Sequence, residues 1–207
     1  MIPYSLHSIG DEEIKAVTEV LHSGWLTGGP KVSEFEVKFA EYVGARHAVA
    51  VNSCAGALYL AIKAFFPVPR VRIGVPDLTY VATANAVVLA GHMPVFCDVD
   101  PETFCIDPAK IPEDIDGVIP MHYGGHAADL DSIRDAGPWE IIEDAAHACG
   151  AKYKGKKIGS INTTCFSFHP CKNMTTAEGG MITTNNQELA DKLCRMRLNG
   201  IQKDGLR

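Results

Sequence analysis

Seven short apolar runs alternate with stretches of helical period, and that alternation leaves few folds open. The runs cover 47–51 ("HAVAV"), 71–75 ("VRIGV"), 94–99 ("PVFCDV"), 117–121 ("GVIPM"), 140–144 ("EIIED"), 165–168 ("CFSF") and 180–184 ("GMITT"). Most are β-branched or aromatic and apolar at odd and even positions alike. Such strands are covered on both faces, which predicts a mainly parallel, seven-stranded sheet flanked by helices. Helical spacing is read over 11–22, 31–43, 55–66, 79–90, 130–136 and 186–198. In 11–22 the residues Ile14, Val17, Val20 and Leu21 form one stripe; 79–90 is small and apolar, as for a buried helix. Alternating strand and helix make an α/β domain.

Bulk properties narrow the functional classes. The 207 residues suit one domain, and a net charge of −6 without a basic run points away from nucleic acid and anionic membranes. No apolar run reaches the length of a membrane span. The N-terminus turns polar too early for a signal peptide. The seven cysteines, Cys54, Cys97, Cys105, Cys149, Cys165, Cys171 and Cys194, form no CxxC pair. They read as reduced, mostly buried thiols of a cytoplasmic protein. His122 and His126 have metal-pair spacing, but the "YGG" between them spoils the helix such a pair needs, so no metal is expected.

In α/β sheets ligands sit beyond the carboxyl ends of the strands. After "HAVAV" come Asn52, Ser53, Cys54, Ala55 and Gly56. This turn suits an anion at a helix N-terminus, and equally an ordinary N-cap by Asn52 or Ser53. After "EII" come Glu143 and Asp144, with His147 three residues on. Asp144 could cap a turn or hold a protonated ring nitrogen. After "CFSF" comes Lys172, which taken alone reads as a solvated charge. A desolvated lysine amine, however, can bond an aldehyde. An aldehyde cofactor with a phosphate tail and a pyridine nitrogen needs an amine, a carboxylate and a helix N-terminus with hydroxyls. Lys172, Asp144, the Ser53–Gly56 turn and Ser167 offer that set, and Tyr80 offers a flat face.

The segments "SGWLTGGPKVSEFE", "HAVAVNSCAGALYLA", "VPDLTYVATANAVVLAGHMPVFCDVD", "HYGGHAADLDSI", "IIEDAAHACGAKYKGKKIGS" and "FSFHPCKNMTTAEGGMITT" occur in this order. In order and spacing the chain resembles the DegT/DnrJ/EryC1/StrS family, sugar-nucleotide aminotransferases that use pyridoxal 5'-phosphate (PLP) on the aspartate-aminotransferase fold. The resemblance implies that Lys172 bonds the cofactor aldehyde and carries the proton, and that Asp144 keeps the ring nitrogen protonated. It implies Tyr80 and His147 against the ring, and Ser53, Cys54, Ala55 and Ser167 at the phosphate. Trp25, Thr27 and Glu178 are implied as substrate contacts. The family's threonine in the phosphate turn is Ala55 here, which removes a hydroxyl bond worth about 1 kcal/mol.

The family pattern implies that 1–207 is the PLP-binding large domain, with 1–44 a helical arm and active-site loop and 45–207 the α/β core. The resemblance also implies that the smaller C-terminal domain of relatives lies outside these 207 residues. The implied reaction moves an amino group from an amino acid, glutamate in most of the family, to a keto group of a nucleotide-linked sugar, with a lean toward the sugar C4. The implied setting is amino-sugar and cell-surface polysaccharide biosynthesis, and the implied assembly is a homodimer. A sugar dehydratase on the same scaffold is the alternative, although those relatives tend to carry histidine where this chain has Lys172. A non-catalytic PLP-binding or interaction module is another.

Overall fold

The computed structural model describes residues 2–3 and 5–201. The ends of the expected 1–207 domain, Tyr4 of "IPYS" among them, lie outside the described residues. In chain order the elements are α1 (Asp11–His22), α2 (Pro30–Val43), β1 (His47–Val51), α3 (Cys54–Phe65), β2 (Arg72–Pro76), α4 (Ala82–Leu89), β3 (Met93–Cys97), β4 (Gly117–Val118), α5 (Leu130–Ala136), β5 (Glu140–Asp144), β6 (Lys152–Tyr153), β7 (Lys156–Lys157), β8 (Thr163–Ser167), β9 (Gly180–Thr184) and α6 (Gln187–Arg197).

Seven strands form one sheet in the order β1-β9-β8-β5-β4-β2-β3. Pairing is parallel from β8 through β5, β4 and β2 to β3, while β9 runs antiparallel to both β8 and β1. The expected mainly parallel sheet is therefore present. Side chains of one strand alternate between two cores. On one face Val49, Ile73, Ile142, Cys165 and Ile182 pack with α3, α4 and α6. On the other, Phe166, Phe168 and Met181 pack with Phe39 and Val43 of α2. Phe39 meets the Phe166 ring edge-on at 5.0 Å and the Phe168 ring at 5.3 Å. No helix among the described residues is long and apolar enough to cross a membrane.

Four details differ from expectation. Regular β4 pairing stops at Val118, because Pro120 has no N–H to donate. The chain still tracks its neighbours, with Ile119 N–H donating to Gly74 O at 2.8 Å and Asp144 N–H to Pro120 O at 2.9 Å. Helix α4 starts at Ala82, not at residue 79, because Asp77 still bonds strand-like to Cys97 O and the next residues turn out of the sheet. It buries one face only, leaving Val88 and Leu89 exposed. The apolar stripe of α1 is uncovered: Ile14, Val17 and Leu21 are exposed and no residue of that helix is buried. The β6–β7 hairpin has no sequence signal beyond its Gly155 turn, each strand being two residues long.

Substituting Phe166→Ala removes the fully buried ring on which α2 rests. It is expected to lower stability by about 3–5 kcal/mol, read from the urea midpoint.

Candidate active site

The carboxyl ends of β1, β2, β5 and β8 border a cavity of about 700 Å³. Ser53, Cys54, Ala55, Tyr80, Asp144, His147, Ser167, Lys172 and Glu178 all line it. Residues up to 125 positions apart in the chain are thus brought together, from Ser53 to Glu178.

Asp144 is 3% exposed at the last position of β5. Its Oδ2 accepts from the Thr83 hydroxyl at 2.8 Å, and its Oδ1 from the Ala146 N–H at 3.0 Å. The Cys54 thiol lies 4.0 Å from Oδ1. All these partners are neutral, and no cation pairs with Asp144 among the described residues. The adjacent Glu143, pointing the other way as strand alternation demands, is paired with His122 at 2.8 Å. A buried carboxylate facing a cavity without a counter-ion favours a ligand that brings a cationic N–H.

Thr83 is itself fully buried, and the Thr79 hydroxyl lies 2.7 Å from it. Because Thr83 gives its single proton to Asp144, Thr79 donates to Thr83. Neither threonine stands out in sequence. The only trace of the pair is the four-residue spacing, which puts both on one side of the turn entering α4.

At the other end of the cavity, α3 begins. The Ser53 hydroxyl accepts from Gly56 N–H at 3.0 Å, so the N-cap reading of this turn holds. The Cys54 and Ala55 amides, in the first helical turn, have no acceptor within the helix and remain suited to an anion. Strand β9 presses on this turn: a Cβ at Gly180 would stand 2.4 Å from the Ser53 carbonyl carbon and 2.7 Å from Cys54 N. Only glycine allows that approach. Ser167 closes β8 close by, buried, and accepts weakly from His169 N–H at 3.4 Å.

Lys172 is half-buried and its amine has no hydrogen bond or ion pair among the described residues. Its backbone N–H donates to His169 O at 2.9 Å, closing a tight turn after β8. Phe168 clamps the base of the loop, giving its N–H to Gly179 O and accepting from Thr176 N–H and the Thr175 hydroxyl. Burial, with the Lys172 charge adding to it and Asp144 opposing, holds the His147 imidazole below its usual 6.5. Burial above all, then the Asp144 charge, pushes the Cys54 thiol far up, so it stays protonated. Tyr80 is 71% exposed and its ring face is open to stacking.

Trp25 and Thr27 are not brought to the cavity. The chain turns at Gly24, with φ +78°, and the Trp25 ring folds onto Gly29, whose ideal Cβ position lies 3.1 Å from it.

A model of the DegT/DnrJ/EryC1/StrS aminotransferase family matches residues 7–207. The chain belongs to this family. It is 48% identical to the spore coat polysaccharide biosynthesis protein SpsC of Bacillus subtilis (strain 168) over 98% of this chain and 54% of that protein. Among solved structures it superposes on Helicobacter pylori PseC, an aminotransferase involved in the biosynthesis of pseudoaminic acid, with a TM-score of 0.89 and 33% identity over 99% of this chain and 58% of that one. The PMP form of Spr1654 from Streptococcus pneumoniae gives a TM-score of 0.91 and 33% identity over 99% and 59%. The chain spans about half the length of the curated relatives it matches.

The donor set fits the cofactor on which this PLP-dependent family relies. Among the described residues, an amine without an ion pair, a buried carboxylate without a cation and a helix N-terminus beside a buried serine border one cavity. Two outcomes follow from the geometry. Thr83→Val leaves Asp144 short of a donor and is expected to cost about 1–3 kcal/mol, read by urea unfolding. Because the folded-state value of His147 is depressed, its neutral form costs nothing above the usual 6.5, and stability falls as the pH drops from there toward the lowered value. The fall in urea midpoint across that window is expected to shrink in His147→Gln.

Proposed function

We propose that this chain is the PLP-binding large domain of a sugar-nucleotide aminotransferase, with residues 1–44 as a helical arm and 45–207 as the α/β core. The observation that carries the reading is the buried Asp144 carboxylate, without a cationic partner among the described residues, facing a cavity of about 700 Å³ that Lys172 also lines. When bound, PLP supplies an electron sink that makes the carbon beside the transferred amine acidic.

The chain's own residues then divide the work. Asp144 holds the ring nitrogen in its protonated form, and Thr83 orients Asp144. Lys172 would hold the cofactor through its amine and, once released from that bond, would move a proton at the carbon that bears the transferred amine. Ser53, the Cys54 and Ala55 amides and Ser167 bind the phosphate, Ala55 contributing its amide alone. Tyr80 covers one ring face, and His147 adjoins the ring. Glu178, exposed at the cavity rim, faces the substrate.

The proposed donor is an amino acid, glutamate foremost, and the acceptor a keto group on a nucleotide-linked sugar, with C4 favoured. Polysaccharide biosynthesis in the cytoplasm and a homodimeric assembly complete the proposal. Support comes from the family membership, the likeness to SpsC and PseC, and the match between the donor set and the cofactor.

A PLP titration tests this. The protein is expected to develop the visible absorbance of lysine-bound PLP, and borohydride is expected to fix the cofactor on Lys172, read by peptide mass spectrometry. Lys172→Ala is expected to lose the band while keeping the far-ultraviolet circular dichroism of the parent. Without a band and without a Lys172 adduct the proposal fails. Added glutamate is expected to bleach the band, and a panel of keto-sugar nucleotides to restore it selectively.

A further inference from the structure

Behind the cavity lies a buried polar pair that the proposed chemistry does not use. His122 is 0% exposed and Glu143 1%. His122 Nδ1 accepts the Ala128 N–H at 3.1 Å, so the ring proton is on Nε2, which donates to Glu143 Oε2 at 2.8 Å. The other carboxylate oxygen accepts from Asn162 Nδ2 at 2.7 Å. The pair is fully satisfied, and such networks rigidify what they hold.

What it holds is the turn Tyr123–Gly125. The His122 N–H donates to Asp144 O at 3.0 Å, and His122 O accepts from Gly125 N–H at 3.2 Å. The turn contains Gly124 at φ +59° and Gly125 at φ +88°, a backbone free to take many conformations unless anchored. Anchored, it meets His147 at three points. Gly124 N–H donates to His147 Nδ1 at 3.3 Å. The Tyr123 ring stands edge-on to the imidazole at 6.0 Å. A Cβ at Gly125 would lie 3.2 Å from His147 O.

We propose that the buried His122–Glu143 pair positions the Tyr123–Gly125 turn so that its backbone locks His147 as the Nε2–H tautomer. His147 then offers its cavity ligand a hydrogen-bond donor and no acceptor. The matching ligand atom is an acceptor oxygen, such as an ionised ring hydroxyl or a carboxylate. The identity of that oxygen rests on the PLP reading above; the tautomer does not. His122 and Glu143 are positioning residues, acting on the ligand only through His147.

Long-range 15N–1H correlation NMR of the labelled full chain without cofactor tests the tautomer, with His147→Gln assigning the resonances. Well above the usual imidazole range of titration, His147 is expected to show a protonated Nε2 and a bare Nδ1. An Nδ1–H pattern or an averaged one overturns the proposal. In His122→Gln, shown folded by circular dichroism, the His147 pattern is expected to average between tautomers, and the Kd for PLP to rise about two- to tenfold. A folded His122→Gln that keeps the pure tautomer overturns it. If that variant does not fold, Gly125→Ala moves the turn without touching the pair. The same averaging is expected there, and an unchanged pattern overturns the proposal. A locked tautomer without PLP binding sinks the cofactor reading alone.

Discussion

One carboxylate organises this molecule. Asp144 sits at the end of a central strand, 3% exposed, and its hydrogen-bond partners among the described residues are all neutral. An uncompensated buried charge costs several kcal/mol, so the surroundings must supply donors or a ligand must supply a cation. The surroundings supply two: the Ala146 amide and the Thr83 hydroxyl. Thr83 is there because α4 begins at Ala82 and aims its first turn at β5. The backbone on either side is clasped through Pro120 and His122. The path of the chain after β4, the start of α4 and the turn after β5 thus all meet at a single residue, the first through its backbone and the other two through its carboxylate.

The same strand shows how a sheet buried on both faces divides its labour. Glu143 and Asp144 are neighbours in sequence and point to opposite faces. Glu143 finds a complete set of partners in His122 and Asn162 and serves the scaffold. Asp144 is left without a cationic partner among the described residues and faces the cavity. At the other end of that cavity, β9 crosses so close to the Ser53 turn that Gly180 tolerates no side chain. The antiparallel strand in an otherwise parallel sheet therefore braces the proposed phosphate turn from behind. Lys172 lines the same cavity, on a loop tied at Phe168.

Much of this was legible in the residues. The seven strands stood out because most are short runs apolar at odd and even positions alike. The strand-end rule then pointed to Ser53, Tyr80, Asp144, Ser167 and Lys172, all of which line one cavity. Thr83 was invisible because its bond spans 61 positions and threonine is common at helix starts. The α1 stripe was legible as amphipathic, yet periodicity cannot say what covers a stripe, and Ile14, Val17 and Leu21 stay exposed. Trp25 and Thr27 entered through resemblance alone. Neither lines the cavity, and spacing does not encode where their loop lies.

The central claim is that Asp144 waits for a protonated nitrogen. PLP labelled with 15N in the ring, bound to the full chain and observed by NMR at neutral pH, reports that proton directly. The account predicts a protonated pyridine nitrogen in the wild-type protein and its loss in Asp144→Asn. An unprotonated nitrogen in the wild-type protein, or a protonated one that survives Asp144→Asn, would contradict it.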